Sequence, residues 1–274
     1  MGGAERNARR KRQTHTRGGN TVAAARRADG DRRKLFVGIG VVVVLLVAVI
    51  GGVLIYNNQK NTTEGKDIAA AAPSSSQQAA DADVPVSRKD GVVVVGKPTA
   101  KVTLDVYEDF LCPACGAFEK AYGTDVEQHI ADGGVQVRYH MLPMLNDSSD
   151  PPGYSLDSAN AGLCAADAGK FPAFHKSLYG DQPEEGSRGW DRQQLADLGS
   201  KLGITDKNFA SCVTSGKYNS LVQSNMNQAQ QATYLQQEFP NGTKGFGTPT
   251  IAVGQKVVDT SKSDWLDKLI QSAS

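Results

Sequence analysis

Cysteine and histidine are scarce in this 274-residue chain, which carries four of each. Four cysteines are too few to staple a disulfide-dense mini-domain. Only Cys112 and Cys115 lie close together. Cys164 and Cys212 stand 48 residues apart and no histidine recurs at ligand spacing, so a zinc site lacks its second half. Excess charge is missing too: 30 basic and 29 acidic residues leave +1. With 39% apolar and 22% charged residues, the composition argues against a fully disordered chain.

The near-neutral total is an average over unlike halves. Residues 1–34 hold eleven Lys/Arg against Glu5, Asp29 and Asp31, a net +8 that leaves −7 for the remainder. A basic head on an acidic body argues against nucleic-acid binding by the whole protein and reads as a topogenic tail. From Leu35 to Ile55 there are 21 residues without a charge. As a helix they span about 31 Å, enough to cross a bilayer once. The run is longer than a signal-peptide core and Tyr56-Asn57-Asn58-Gln59-Lys60 follows it, so a retained anchor is expected. Arg17, Arg26, Arg27, Arg32, Arg33 and Lys34 on one flank outweigh Lys60 and Lys66 on the other, which puts the N-terminus in the cytoplasm and the rest outside the cell membrane.

Residues 56–84 are rich in Ala, Ser and Gln, with Ile68 the one large apolar residue between Tyr56 and Val84, and read as a flexible linker. Residues 85–274 suffice for one domain with a sizeable core and show no internal repeat. Val92–Val95 reads as a short strand, and Val102, Leu104 and Val106 alternate with polar residues up to Cys112. After Cys115 the spacing becomes helical through Phe118, Tyr122, Val126 and Ile130, until Asp132-Gly133-Gly134 stops it. Alternation returns in Val135, Val137, Tyr139 and Met141, completing a βαβ unit that favours parallel pairing. Helical patterns then run through 156–168, 172–179, 191–202 and 206–235, the last broken near Gly216. Strands are expected at 250–253 and 256–258, with a final helix from Ser263 to Ile270. The reading is α/β: βαβ, a helical block over about 150–240, then ββα.

Cys112-Pro113-Ala114-Cys115 therefore falls at a strand-to-helix turn. The unpaired N–H groups of a helix start favour an anion, so a Cys112 thiolate is stabilised there. A stabilised thiolate makes a reactive, oxidising disulfide. Pro113 suits the first helical position, where its missing N–H costs nothing. A structural disulfide or half a zinc site are the plainer readings of the pair.

The run Tyr107-Glu108-Asp109-Phe110-Leu111-Cys112-Pro113-Ala114-Cys115, with Phe171-Pro172-Ala173-Phe174-His175-Lys176 in the helical block and Gly245-Phe246-Gly247-Thr248-Pro249-Thr250 before a late strand, resembles the DsbA-like thiol:disulfide oxidoreductases of the thioredoxin superfamily, especially the anchored mycobacterial type. The resemblance covers roughly residues 88–272. It implies a thioredoxin-like fold with a helical domain inserted between the βαβ and ββα halves, here preceded by a single transmembrane helix. It also implies that Cys112 attacks and Cys115 resolves, that Pro249 is a cis-proline facing them, and that the Thr248 backbone pairs with an extended substrate segment.

Where many relatives carry His after the motif proline, this chain has Ala114, which cannot stabilise the thiolate. Glu108 and Asp109 are candidate proton acceptors for Cys115 or, equally, helix caps. Of the three possible pairings of four cysteines, 112–115 with 164–212 keeps the reactive pair local, and a structural disulfide Cys164–Cys212 is expected between two insertion helices; two buried thiols are the alternative. His129, His140 and His175 read as solvated or packed side chains.

The function expected is an exported enzyme, a protein disulfide oxidoreductase that oxidises cysteine pairs in unfolded or newly exported proteins. No metal, nucleotide or other cofactor is called for. The family implies reoxidation by a quinone-linked membrane partner of the DsbB or VKOR-like kind. The bilayer itself is a partner through residues 35–55. The alternatives are an extracytoplasmic thioredoxin-like reductase, since direction follows potential and partner, and a chaperone-like binding module with structural cysteines.

Overall fold

The computed structural model describes residues 63–71, 84–238 and 242–273. The expected basic tail at 1–34 and anchor at 35–55 lie outside them. Among the described residues no helix is long and apolar enough to cross a membrane.

The domain is built on a six-stranded sheet with strand order β1-β2-β4-β3-β7-β8. Its strands are β1 (Val86–Lys89), β2 (Val92–Val95), β3 (Val102–Glu108), β4 (Val135–Met141), β7 (Thr250–Val253) and β8 (Lys256–Val257). β3 and β4 run parallel, in register from Val102 opposite Val135 to Glu108 opposite Met141. Helix α1 (Pro113–Ala131) makes the crossover between them. All other neighbours in the sheet are antiparallel.

Strand alternation sorts the side chains. Val135, Val137, Tyr139 and Met141 are buried and join Val102, Leu104 and Val106 in the main core. Asp105, Tyr107, Arg138 and His140 meet on the other face, where Asp105 accepts from Arg138 Nε at 2.7 Å and bonds His140 Nε2 at 2.8 Å. Tyr107 stacks on His140 at 4.2 Å, and its hydroxyl meets that of Tyr234 at 2.8 Å.

Between β4 and β7 lie α2 (Tyr154–Asp167), α3 (Phe171–Gly180), α4 (Arg192–Lys201), α5 (Phe209–Ser215) and α6 (Asn219–Gln231). Gly216 takes the left-handed conformation (φ 65°) that ends α5. Cys164 of α2 is bonded to Cys212 of α5, tying the helical block together. Helix α7 (Trp265–Ser272) closes the chain, packing Trp265 near Phe118 and Tyr122 of α1.

Three features depart from the sequence reading. β1 was not expected, because Val86-Ser87-Arg88-Lys89 is short and half polar; it exists by pairing with the Val run of β2 across the Asp90-Gly91 turn. A small hairpin, β5 (Gln237–Glu238) with β6 (Lys244–Gly245), stands before the Thr248-Pro249 turn, where no strand was read. Finally, part of the expected flexible linker is docked. Ile68 is buried in the core, Thr63 Oγ1 donates to the carbonyls of Arg188 and Gly189, the N–H of Ala69 donates to Asp181, and Gln194 Nε2 donates to the carbonyls of Thr63 and Lys66. One large apolar side chain with backbone bonds on both sides suffices to hold residues 63–71 on the surface of α3 and α4, against a composition that predicts a free tether.

Candidate functional site

The end of β3 delivers Glu108 and Asp109 to the turn that opens α1. Cys112 is the N-cap residue and Pro113 occupies the first helical position. No side chain caps the helix, so neither Glu108 nor Asp109 serves as the cap. Cys112 and Cys115 are both free thiols and both buried, Cys112 at 6% exposure and Cys115 at 0%.

Their environments push them apart. The Cys115 thiol donates to Cys112, and this bond does most to lower the Cys112 pKa, to about 6. Burial opposes it, while Thr248 and the N–H groups of Cys115 and Ala114 assist. The stabilisation therefore needs no histidine at position 114. Burial, the bond to Cys112 and the nearby Glu108 charge all drive the Cys115 thiol far above its ordinary range.

The Thr248–Pro249 peptide bond is cis, which brings the Thr248 carbonyl to 3.3 Å from Cys112 Sγ. Thr248 and Pro249, 136 and 137 residues from Cys112 in sequence, thus form the opposite wall of the site. Asp109 is occupied by structure: Oδ1 accepts from the N–H of Leu111 at 2.8 Å and Oδ2 from that of Leu145 at 2.7 Å. It ties the cysteine turn to the loop after β4. Its pKa is raised to about 6, burial outweighing those two bonds.

Glu108 is fully buried, and its Oε1 accepts from His175 Nε2 of α3 at 2.6 Å, while Oε2 has no hydrogen-bond partner. His175, read from sequence as solvated or packed, is thus brought against Glu108. Burial disfavours its imidazolium, but the carboxylates of Glu108, Glu119 and Glu127 outweigh burial and hold its pKa at about 9. Glu119 lies one helical turn beyond Cys115, a spacing that was legible in the sequence. Gln182 carried no signal at all, yet its Nε2 donates to the carbonyls of Phe110 at 3.0 Å and Cys112 at 2.9 Å. Gly116 admits this clamp, since a Cβ there would meet Gln182 Oε1 at 2.1 Å.

Glu108, Glu119 and His175 each offer one ligand atom within a 4.8 Å span. Two donors on one tetrahedral ion at about 2.1 Å stand roughly 3.4 Å apart. The 2.6 Å contact between Glu108 and His175 is a hydrogen bond, and it fits a shared proton better than a metal. His140 is committed to Asp105, and His129 lies 3.5 Å from Asp267.

Residues 87–272 match the family model described as Thioredoxin. The serine/threonine-protein kinase PknE of Mycobacterium tuberculosis is 32% identical over 188 residues, which cover 66% of this chain and 31% of the kinase. The chain thus spans less than a third of that relative's length. Among solved structures, reduced DsbG of M. tuberculosis is similar at 28% identity and a TM-score of 0.53, over 70% of this chain and 88% of that one. Reduced DsbA of the same organism aligns at 27% identity and a TM-score of 0.53, over 70% and 92%. With its family match, its βαβ and ββα halves around a helical block, and its Cys-Pro-Ala-Cys turn facing a cis-proline, the chain belongs to the thioredoxin family and is DsbA-like.

Proposed function

We propose that this protein is a protein disulfide oxidoreductase that introduces disulfides into exported proteins. The observation that carries the reading is the split between Cys112, with its pKa lowered to about 6, and a fully buried Cys115 whose thiol resists ionisation. A substrate thiolate attacks Cys112 Sγ of the Cys112–Cys115 disulfide, and Cys115 leaves as a thiolate and takes up a proton. A second substrate thiolate then attacks the substrate sulfur of the mixed disulfide and expels Cys112 as its stabilised thiolate. The easier that departure, the more oxidising the enzyme. The cis Thr248–Pro249 wall supports an extended substrate segment beside Cys112, its backbone pairing in the manner of an added strand.

The substrates are unfolded or newly exported cysteine-containing proteins. A quinone-linked membrane reoxidase of the DsbB or VKOR-like kind restores the disulfide. The charge asymmetry about residues 35–55 supports a single-pass anchor with the N-terminus in the cytoplasm and the catalytic domain outside. The domain division is then tail 1–34, anchor 35–55, a linker over 56–84 whose residues 63–71 pack on the domain, and catalytic domain 85–274.

Redox titration of the Cys112–Cys115 pair tests the direction. A potential above about −200 mV supports an oxidase; a value near about −270 mV overturns it in favour of a reductase. Trapping adds the substrate test: a C115S variant is expected to accumulate mixed disulfides at Cys112 with exported proteins, and a clean C115S protein would leave only a binding module.

A further inference from the structure

Residues 63–71 lie ahead of the thioredoxin-family match, which begins at residue 87, yet they pack on α3 and α4 beside the turn that leads to Gln182. We infer that this segment is a strap that positions the redox turn: it holds the end of α3, the end of α3 aims Gln182, and Gln182 fixes the start of α1, so that docking of the strap sets the reactivity of Cys112. The inference rests on the disulfide-exchange reading above, in which Cys112 is the attacked sulfur.

The strap is seated by one side chain and by its own backbone. Ile68 is 1% exposed and joins the main core, and Ala70 packs against the same cluster. Around Ile68 the polar groups of the segment are met by the two helices. Gln194 Nε2 of α4 donates to the carbonyls of Thr63 at 2.7 Å and Lys66 at 2.6 Å, while Lys201 Nζ donates to the Ile68 carbonyl at 3.2 Å and pairs with Asp67 at 3.0 Å. The Ala71 N–H donates to Ser177 Oγ of α3 at 2.9 Å, and the Ala69 N–H donates to Asp181 Oδ2 at 2.6 Å. Peptide groups withdrawn from water need such partners, and only one register of the strap supplies them all.

Asp181 is where the strap reaches the site. It ends α3, its N–H donates to the Ser177 carbonyl at 3.1 Å, and its own carbonyl accepts from Trp190 Nε1 at 2.9 Å. With the Ala69 bond to its carboxylate, Asp181 is held at three points. The next residue is Gln182, whose Nε2 donates to the Phe110 and Cys112 carbonyls. The Cys112 carbonyl also accepts from the Gly116 N–H at 3.1 Å, the bond that starts the α1 ladder. The clamp therefore acts on the peptide that sets Cys112 Sγ against the N–H groups of Ala114 and Cys115, which stabilise its thiolate. The titratable groups facing Cys112 are Cys115 of α1 and Asp109 of the turn.

Release of the strap takes the partner from the Asp181 carboxylate, frees the end of α3, and lets the Gln182 amide turn to water. The Cys112 thiolate is then held less well and leaves a mixed disulfide less readily. Ile68 and Asp181 act through Gln182 and are positioning residues.

The test reads Cys112 directly in the full-length protein, with alkylation of the reduced enzyme by iodoacetamide followed against pH by intact mass. I68S removes the buried anchor and should raise the midpoint from near pH 6 by about one unit, which slows alkylation at pH 6 about fivefold. D181A leaves Ile68 in place and should move the midpoint the same way, whereas I68V should keep the wild-type profile. The double variant I68S/Q182A should shift no further than Q182A alone, because both changes act through one clamp. Linkage requires the converse as well: at pH 7 the Ala69 and Ala71 amides of the reduced wild type should exchange with deuterium more slowly than those of C112S, which has no thiolate there. An unchanged midpoint in folded I68S and D181A would overturn the inference, as would equal exchange in C112S or shifts from I68S and Q182A that simply add. Alkylation needs no disulfide transfer, so these outcomes are separate from the exchange reading, which fails if the wild-type enzyme forms no mixed disulfide with oxidised glutathione.

Discussion

The two cysteine pairs are made of the same atoms and have opposite fates. Cys164 and Cys212 come from two helices, 48 residues apart, with Cα atoms 6.1 Å apart and their sulfurs joined. They are buried in one apolar cluster with Leu163, Ala165 and Val213. Cys112 and Cys115 share one helical turn, where N–H groups stabilise one thiolate, a carboxylate suppresses the other, and the Thr248 carbonyl faces the first. A disulfide is inert or reactive according to how well its reduced form is stabilised, and that is set by the surroundings of each sulfur.

The contrast breaks most sharply at Cys112. C112S should reduce disulfide transfer to a model dithiol peptide by on the order of 10³-fold or more, the scale of removing a nucleophile. The paired variant C164A/C212A should retain that transfer. Equal losses in both would erase the distinction between the pairs.

The converse effect falls on stability. Releasing the Cys164–Cys212 loop should cost about 4 kcal/mol in the chain-entropy model, read as a lower urea midpoint. The potential of Cys112–Cys115 should not move.

The pH dependence sharpens the same difference, because only the open pair titrates. A thiol whose folded pKa is depressed contributes stability that is present above its unfolded pKa, about 8.5, and lost as pH falls through about 6. The reduced protein should therefore gain stability relative to the oxidised one as pH rises from about 6 to about 8.5, beyond which Cys115, held as the thiol, works against it. Alkylation of Cys112 by iodoacetamide should follow the same titration, half-maximal near pH 6. A midpoint near 8.5 would mean that the helix turn does not hold the thiolate.

The smallest effect is expected at Gln182. Q182A removes two donors from the Phe110 and Cys112 carbonyls and should cost about 1–2 kcal/mol of stability. It should also raise the Cys112 pKa by letting the turn relax, while the loop closed by Cys164–Cys212 stays unaffected. An unchanged alkylation profile would show that the clamp supports only the fold.

The βαβ unit was legible because β3, α1 and β4 each repeat their apolar residues at one period over two turns or more: Val102, Leu104 and Val106; Cys115, Phe118 and Tyr122; Val135, Val137 and Tyr139. β1 and the β5–β6 hairpin escaped because two to four residues cannot display a period and, unlike the Val run of β2, these carry no β-branched run. Ile68 escaped for a related reason, since a single apolar residue in a polar stretch has no pattern until a surface is there to receive it. At the site, the cysteine turn was legible as a local motif, whereas the Glu108–His175 bond joins residues 67 apart and the Gln182 clamp reaches back 70 and 72. Nothing near Gln182 in sequence distinguishes it from any other loop glutamine.

By itself the sequence determined that four cysteines are too few to staple the whole chain, that one pair would open a helix, and that the strands and helices around that pair would alternate. Local chemistry suffices for those conclusions, since propensity, period and the unpaired N–H groups of a helix start act within a few residues. Tertiary structure decided which carboxylate stands beside Cys115, which histidine holds that carboxylate, and which loop presses its carbonyl on Cys112. Those relations depend on burial and, for the histidine and the loop, on contacts across 67 and 136 residues, where a charge or an unpaired oxygen has consequences only once the chain has excluded water around it.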